Sequence, residues 1–61
     1  MTFTPDQRIM VADDAPHNPG RIGYFEFIGG PNNDIVVIRL DLHKKEPYTL
    51  IALAEKHAIK V

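Results

Sequence analysis

The side chains in this chain that could do chemistry are few, and three of them lie close together in the sequence. Asp13, Asp14 and His17 are residue types that bind metal ions. Structural metal sites usually need four ligands, and His43 and His57 lack the spacing of a helical zinc-binding pair. We therefore expect no metal site. We interpret the two aspartates as acceptors for backbone N–H groups in a turn.

A nucleophile for covalent catalysis is also hard to find. The chain has no cysteine and no serine, so only threonines carry an aliphatic hydroxyl. A hydrolase-type site needs its nucleophile beside a base. Thr49 with His43 or His57 is conceivable, but threonine is also favoured as a helix cap and as a strand residue. We interpret Thr49 in one of these structural roles.

Glu26 is the remaining candidate for acid–base chemistry. A single carboxyl does not define a reaction, and we interpret Glu26 as an exposed mid-sheet residue paired across strands with Arg39 or Arg21. No phosphate-binding loop follows any of the glycines. The sequence predicts a protein that is not an enzyme, with no catalytic residues and no cofactor.

Length and composition indicate one small folded domain over residues 1–61. The chain is 44% hydrophobic and 25% charged, and its apolar residues are grouped in runs, which argues against disorder. A domain of this size buries only about 60% of the surface of its unfolded chain. Because there is no cysteine, disulfides cannot add stability, and we expect self-association to do so.

Charge and hydropathy narrow the possible partners. Seven basic residues against eight acidic ones give a net charge of −1, so the chain lacks the positive excess on which nonspecific nucleic-acid binding depends. The uncharged apolar stretch 50–54 is too short to cross a bilayer. With no recognisable signal sequence, the expected compartment is the cytoplasm, with no membrane partner.

A predicted hairpin is the most distinctive segment. Two runs rich in Tyr, Phe, Ile and Val, Arg21–Ile28 and Ile35–Leu40, flank the turn-forming sequence Gly-Gly-Pro-Asn-Asn-Asp. The alternating segment Gln7–Ala12 predicts a first strand, and the prolines and glycine of residues 13–20 predict a stiff loop. Residues 1–6 are expected to form a loose arm.

The second strand is unusual because it has large apolar groups on both faces. Regular alternation places Tyr24 and Glu26 on one face, and Phe25 and Phe27 on the other. Either the strand bends within a small barrel and buries a different face at each end, or a partner covers one face. Gly23 would suit a bend or a bulge.

The C-terminal part allows two predictions. We favour a strand over Tyr48–Ala52, a short helical turn over Ala54–His57 and a terminal strand over Ile59–Val61, which makes the fold all-β. The rival is a helix over Thr49–Ala58, because apolar residues recur there at helical spacing. The rival would make the fold α+β, with a hairpin sheet and a C-terminal helix.

The predicted strand order resembles that of SH3-like small barrels, including KOW-type domains. The residues that carry the resemblance are a strand opened by glycine, Gly20-Arg21-Ile22-Gly23, its apolar partner, Ile35–Asp41, and a short closing strand, Ala58–Val61. The resemblance spans residues 7–61 and implies a closed barrel of about five strands. It does not define a function, since one barrel hosts many unrelated sites.

The favoured function is a non-enzymatic protein-binding or regulatory module that self-associates. Its expected contact residues are the aromatic residues of the second strand and two polar residues of the stiff loop: Tyr24, Phe25, Phe27, His17 and Asn18. The alternative is nucleic-acid binding, in which phosphates would be contacted by Arg21, Arg39, Lys44 and Lys45.

An oligomeric enzyme is a third possibility, because type B dihydrofolate reductases are SH3-like chains of similar length. Their Val-Gln-Ile-Tyr motif is absent, and the nearest stretch is Tyr48-Thr49-Leu50-Ile51. Substrate and cofactor binding therefore do not carry over from that resemblance.

Overall fold

The fold is all-β, as the favoured prediction has it. In the computed structural model, which describes residues 3–40, 43 and 46–61, the chain forms five strands and one short helical turn. The elements are β1 (Arg8–Val11), β2 (Ile22–Gly29), β3 (Ile35–Arg39), β4 (Leu50–Ala54), a 3-10 turn (Glu55–His57) and β5 (Ala58–Lys60). The rival prediction of a helix over Thr49–Ala58 is wrong, because β4 occupies the first half of that segment.

The strands form one antiparallel sheet in the order β4-β3-β2-β1-β5. The edge strands β4 and β5 are consecutive in the chain, and only the three residues of the 3-10 turn separate them. Because so short a connection joins opposite edges, the sheet must curl strongly. The result is a compact molecule measuring 28 × 23 × 19 Å.

Turn residues fix the connections between the strands. Asn33 donates its backbone N–H to the carbonyl of Gly30 at 3.3 Å, and Asn33 itself has a φ of 54°. Asparagine tolerates this left-handed conformation better than most residues. The hairpin between β2 and β3 is therefore closed where the sequence Gly-Gly-Pro-Asn-Asn-Asp predicts it.

A bulge in β2 changes which side chains point into the core. Phe25 pairs with Ile38 and Phe27 pairs with Val37, so Glu26 is an extra residue in the strand. An extra residue shifts the alternation of side chains by one position. The prediction that Phe25 and Phe27 share a face is therefore wrong. The bulge lies at Glu26 rather than at Gly23, and it keeps one side of β2 against the core, with Phe25 before the bulge and Ile28 after it.

The core lies on the concave side of the sheet. Its fully buried members come from β1 and β3: Ile9, Val11, Val36 and Ile38. Phe3 reaches this core from the N-terminal segment, and its ring stacks on that of Phe25 with 5.3 Å between ring centres. The segment predicted as a loose arm is therefore packed against the sheet at Phe3.

Gly23 sits where the core leaves no room for a side chain. A Cβ at this position would lie 2.8 Å from the backbone carbonyl of Arg39 and 3.0 Å from Ile38 Cδ1. We expect Gly23→Ala to lower the free energy of unfolding by about 1–3 kcal/mol, because the backbone of β3 must move. Urea denaturation followed by circular dichroism measures this change.

Gly29 provides the matched control in the same strand. A Cβ there would meet only the ring of Phe27, at 3.6 Å, which is an ordinary van der Waals contact. We expect Gly29→Ala to shift the free energy of unfolding by less than about 1 kcal/mol. An equal loss in both variants would contradict the crowding described at Gly23.

Candidate protein-interaction face

The convex side of the sheet, opposite the core, carries exposed large hydrophobic side chains. Among the described residues, five large hydrophobic side chains are exposed, from 40% for Ile59 to 53% for Val61. They are Ile22, Phe27, Leu50, Ile59 and Val61. We call this convex side of β1–β5 the outer face.

Strand register places four of the five on the outer face. Directly opposed residues share a face, and so do residues two apart in one strand. Ile22 pairs with Met10, and Met10 pairs with Ile59, which forms one apolar row across β2, β1 and β5. Phe27 pairs with Val37, which forms a second apolar row on β2 and β3.

A third row, here called the polar row, runs between the two apolar rows and has a polar or charged residue at three of its four positions. Leu50 pairs with Arg39, Arg39 pairs with Tyr24, and Tyr24 pairs with Arg8. Val61 is two residues beyond Ile59, and its backbone N–H donates to the carbonyl of Arg8 at 3.2 Å, which extends the outer face past the end of β5. The outer face thus alternates between apolar and polar rows.

Arg39 is the centre of the polar row, and its side chain is completely buried. Its guanidinium donates to Oδ1 of Asp6 at 2.6 Å and also to the carboxylate of Glu26. The guanidinium lies over the ring of Tyr24, 5.9 Å from the ring centre. The predicted pairing of Glu26 with Arg39 is confirmed, whereas the expectation that Glu26 is exposed is wrong, because its side chain is only 20% exposed.

The environment of Arg39 favours its charged form. The hydrogen bond to Asp6 raises the pKa of Arg39 most, burial opposes this, and the bond to Glu26 raises the pKa further. Two carboxylates therefore replace the water that a buried guanidinium loses. The cluster of Arg39, Asp6 and Glu26 therefore connects three segments, namely β3, the N-terminal turn that contains Asp6, and the bulge of β2 at Glu26.

The predicted contact residues are distributed over different parts of the molecule. Phe27 is exposed and Tyr24 is half-buried, both on the outer face, whereas Phe25 is buried in the core and is not available to a partner. His17 and Asn18 are exposed in the loop between β1 and β2. Sequence reasoning missed the exposed apolar residues of β4 and β5, although their pairing with β3 and β1 identifies them once register is known.

The predicted nucleic-acid set does not form one basic surface among the described residues. Arg21 is exposed at the end of the β1–β2 loop, but Arg39 is buried between two carboxylates and cannot contact phosphate. The prediction that Arg39 contacts phosphate is wrong, because its guanidinium is already paired with the carboxylates of Asp6 and Glu26. Lys44 and Lys45 lie outside the described residues.

In residues 3–40, 43 and 46–61, no group of three or more metal-ligating side chains comes together. The described part of the chain also has no helix of the length and hydropathy that crossing a bilayer requires. Comparison with protein-family models, with curated proteins and with solved structures finds no match to this chain.

Proposed function

We propose that this chain is a non-enzymatic protein-binding module that associates with a second copy of itself through the outer face. The observation that carries the proposal is the placement of Ile22, Phe27, Leu50, Ile59 and Val61 on one side of the sheet. Exposed apolar groups gathered on one surface are typical of interaction sites rather than of free surface. Tyr24, half-buried on the same face, adds a residue type that is enriched at interfaces.

The size of the molecule supports a second copy as the partner. A stable interface covers about 800 Å² on each side, which is about a fifth of the 4058 Å² of accessible surface of this chain. The net charge of −1 produces little repulsion between two copies.

We further propose that the fold is an SH3-like barrel. The sheet order β4-β3-β2-β1-β5 and the 3-10 turn between β4 and β5 support this proposal. Cytoplasmic location stays a prediction from the sequence. Nucleic-acid binding is not carried forward, because burial of Arg39 removes one of its four expected contacts.

Sedimentation equilibrium of single-site variants tests the proposed interface. Phe27→Ser and Ile22→Ser each replace an exposed apolar side chain in one of the two apolar rows. We expect each to weaken self-association by about tenfold or more, because each removes apolar area from the interface. Circular dichroism confirms that both variants are folded.

Pro31→Ser is the matched control, because Pro31 is exposed in the β2–β3 turn and not on the outer face. This variant should associate like the original chain. Unchanged association of Phe27→Ser and Ile22→Ser would show that the outer face is not the interface.

A further inference from the structure

We propose that the free edge of β4 binds an extended peptide in which an apolar side chain lies next to a carboxylate. This site is separate from the outer-face anchors Ile22 and Phe27. Three features of the described residues carry it: the hydrogen-bonding groups of β4, the groove beside that strand and the charge at the rim of the groove.

The backbone of β4 points hydrogen-bonding groups away from the sheet. The Leu40 N–H donates to the carbonyl of Thr49 at 3.0 Å, and the Glu55 N–H donates to the carbonyl of Asp34 at 2.8 Å. These bonds lie at the two ends of the unbroken β3–β4 ladder. In an antiparallel ladder alternate residues face the partner. The N–H groups of Leu50, Ala52 and Ala54 and the carbonyl groups of Leu50 and Ala52 therefore face the free edge, whereas the Ala54 carbonyl belongs to the 3-10 turn that follows.

The edge lacks the features with which proteins usually prevent strand addition. β4 is Leu-Ile-Ala-Leu-Ala, with no charged residue and no proline, and its pairing with β3 contains no bulge. Edge strands are commonly protected by charges, prolines or bulges. An unprotected edge with outward N–H and carbonyl groups is the type of surface to which extended peptides add as a further strand.

A groove of about 390 Å³ runs beside this edge. It is lined by three consecutive residues of β4, Ala52, Leu53 and Ala54, and by Ala15, Pro16 and His17 of the β1–β2 loop. Consecutive strand residues point to opposite faces, so a groove that contacts all three must follow the edge of β4. Ile35 also contributes to the lining. The apolar lining fits an aliphatic side chain of an added strand.

The ionisable side chains that line the groove are all basic residue types. Lys56, His17 and His57 line the groove, and no acidic residue does. The ammonium group of Lys56 makes no ion pair with any described residue. Asp34 and Glu55 line a neighbouring recess that shares Lys56 and Ala54. The recess side of Lys56 is acidic and would repel a second carboxylate. A peptide carboxylate is therefore complementary to Lys56 only on the groove side.

Fluorescence anisotropy with a labelled peptide tests the proposal. The probe is acetyl-Thr-Val-Leu-Val-Asp-Thr amide, which combines extended-backbone propensity, one leucine and one carboxylate. Two control peptides differ from it in single features: one has asparagine in place of the aspartate, and one carries N-methyl groups on alternate backbone nitrogens. We expect saturable binding of the probe, about tenfold weaker binding of the asparagine peptide and no binding of the methylated peptide.

Protein variants locate the site. Lys56→Glu should weaken probe binding by about tenfold or more, whereas Arg21→Glu, the same charge change at an exposed arginine away from the groove lining, should leave binding within about twofold. Ala52→Pro removes an N–H that faces the free edge and none that serves the β3–β4 ladder, so the variant should fold and lose binding. The N-methylated peptide tests the same hydrogen bonds if Ala52→Pro does not fold.

Amide hydrogen exchange separates a peptide from the other occupants of the edge. The Ala52 and Ala54 amides should exchange fast in the free protein and slowly with the probe bound. Slow, concentration-dependent exchange without peptide would show that a second copy covers β4 and would overturn the proposal. Equal binding of the aspartate and asparagine peptides, or no binding of the probe, would overturn it as well. The peptide-binding results do not bear on the test of Phe27→Ser, because that test measures self-association.

Discussion

Replacing Arg39 with methionine is expected to lower the free energy of unfolding by about 3–5 kcal/mol, the usual cost of removing one partner of a buried ion pair. Methionine fills a similar volume but leaves Glu26, which is largely shielded from water, without a counter-charge. A core of this size alone supplies only about 3–5 kcal/mol of stability. Most molecules of Arg39→Met should therefore be unfolded at room temperature, as judged by circular dichroism.

Substitutions of the two carboxylates that bind Arg39 serve as controls, because they should lower the free energy of unfolding by different amounts. The Asp6 side chain is 51% exposed and that of Glu26 is 20% exposed, so Asp6→Asn should cost less than Glu26→Gln. In the double variant Glu26→Gln/Arg39→Met no charge is left unpaired at Glu26, and part of the lost stability should return. If Arg39→Met unfolds at the same urea concentration as the original chain, the cluster does not hold these segments together.

Truncating Phe3 is the second change with a large expected effect. Phe3 is only 8% exposed and stacks on Phe25 although it lies near the start of the chain. We expect Phe3→Ala to lower the free energy of unfolding by about 3–5 kcal/mol, the range for removal of a buried phenylalanine. Circular dichroism at room temperature gives the folded fraction of the variant, and comparison with the urea denaturation of the original chain gives the loss.

Phe27→Ala is the matched comparison, because it truncates the same residue type at a position that is 49% exposed. Its cost in the dissociated chain should stay below about 1 kcal/mol, as for most surface substitutions. Similar losses at Phe3 and Phe27 would mean that the N-terminal segment does not complete the core.

Much of the sheet was predictable from local sequence. The aromatic and β-branched runs of β2 and β3 and the turn-forming residues between them agree on one hairpin, so pattern and propensity point to the same structure. The C-terminal segment was ambiguous because its apolar residues satisfy both helical and strand spacing. Pairing of β4 with β3 and of β5 with β1 resolves that ambiguity, and such long-range contacts are not visible in a local window.

The arrangement of the outer face was harder to predict from the sequence than the strands themselves. The bulge at Glu26 reverses the alternation within β2, and no glycine marks it. Regular alternation therefore placed Phe27 on the same side as Phe25. The burial of Arg39 depends on Asp6, thirty-three residues away in the chain, so a basic residue in a strand was mistaken for an exposed one.

The mass of the chain in solution tests the central claim most directly. If the outer face binds a second copy, light scattering at increasing protein concentration should show the mass rise from 6.9 kDa towards twice that value. The rise should be complete well below about 1 mM, since a specific interface of standard size gives affinities stronger than that. A mass that stays at 6.9 kDa up to that concentration would contradict self-association and leave the apolar rows of the outer face unexplained.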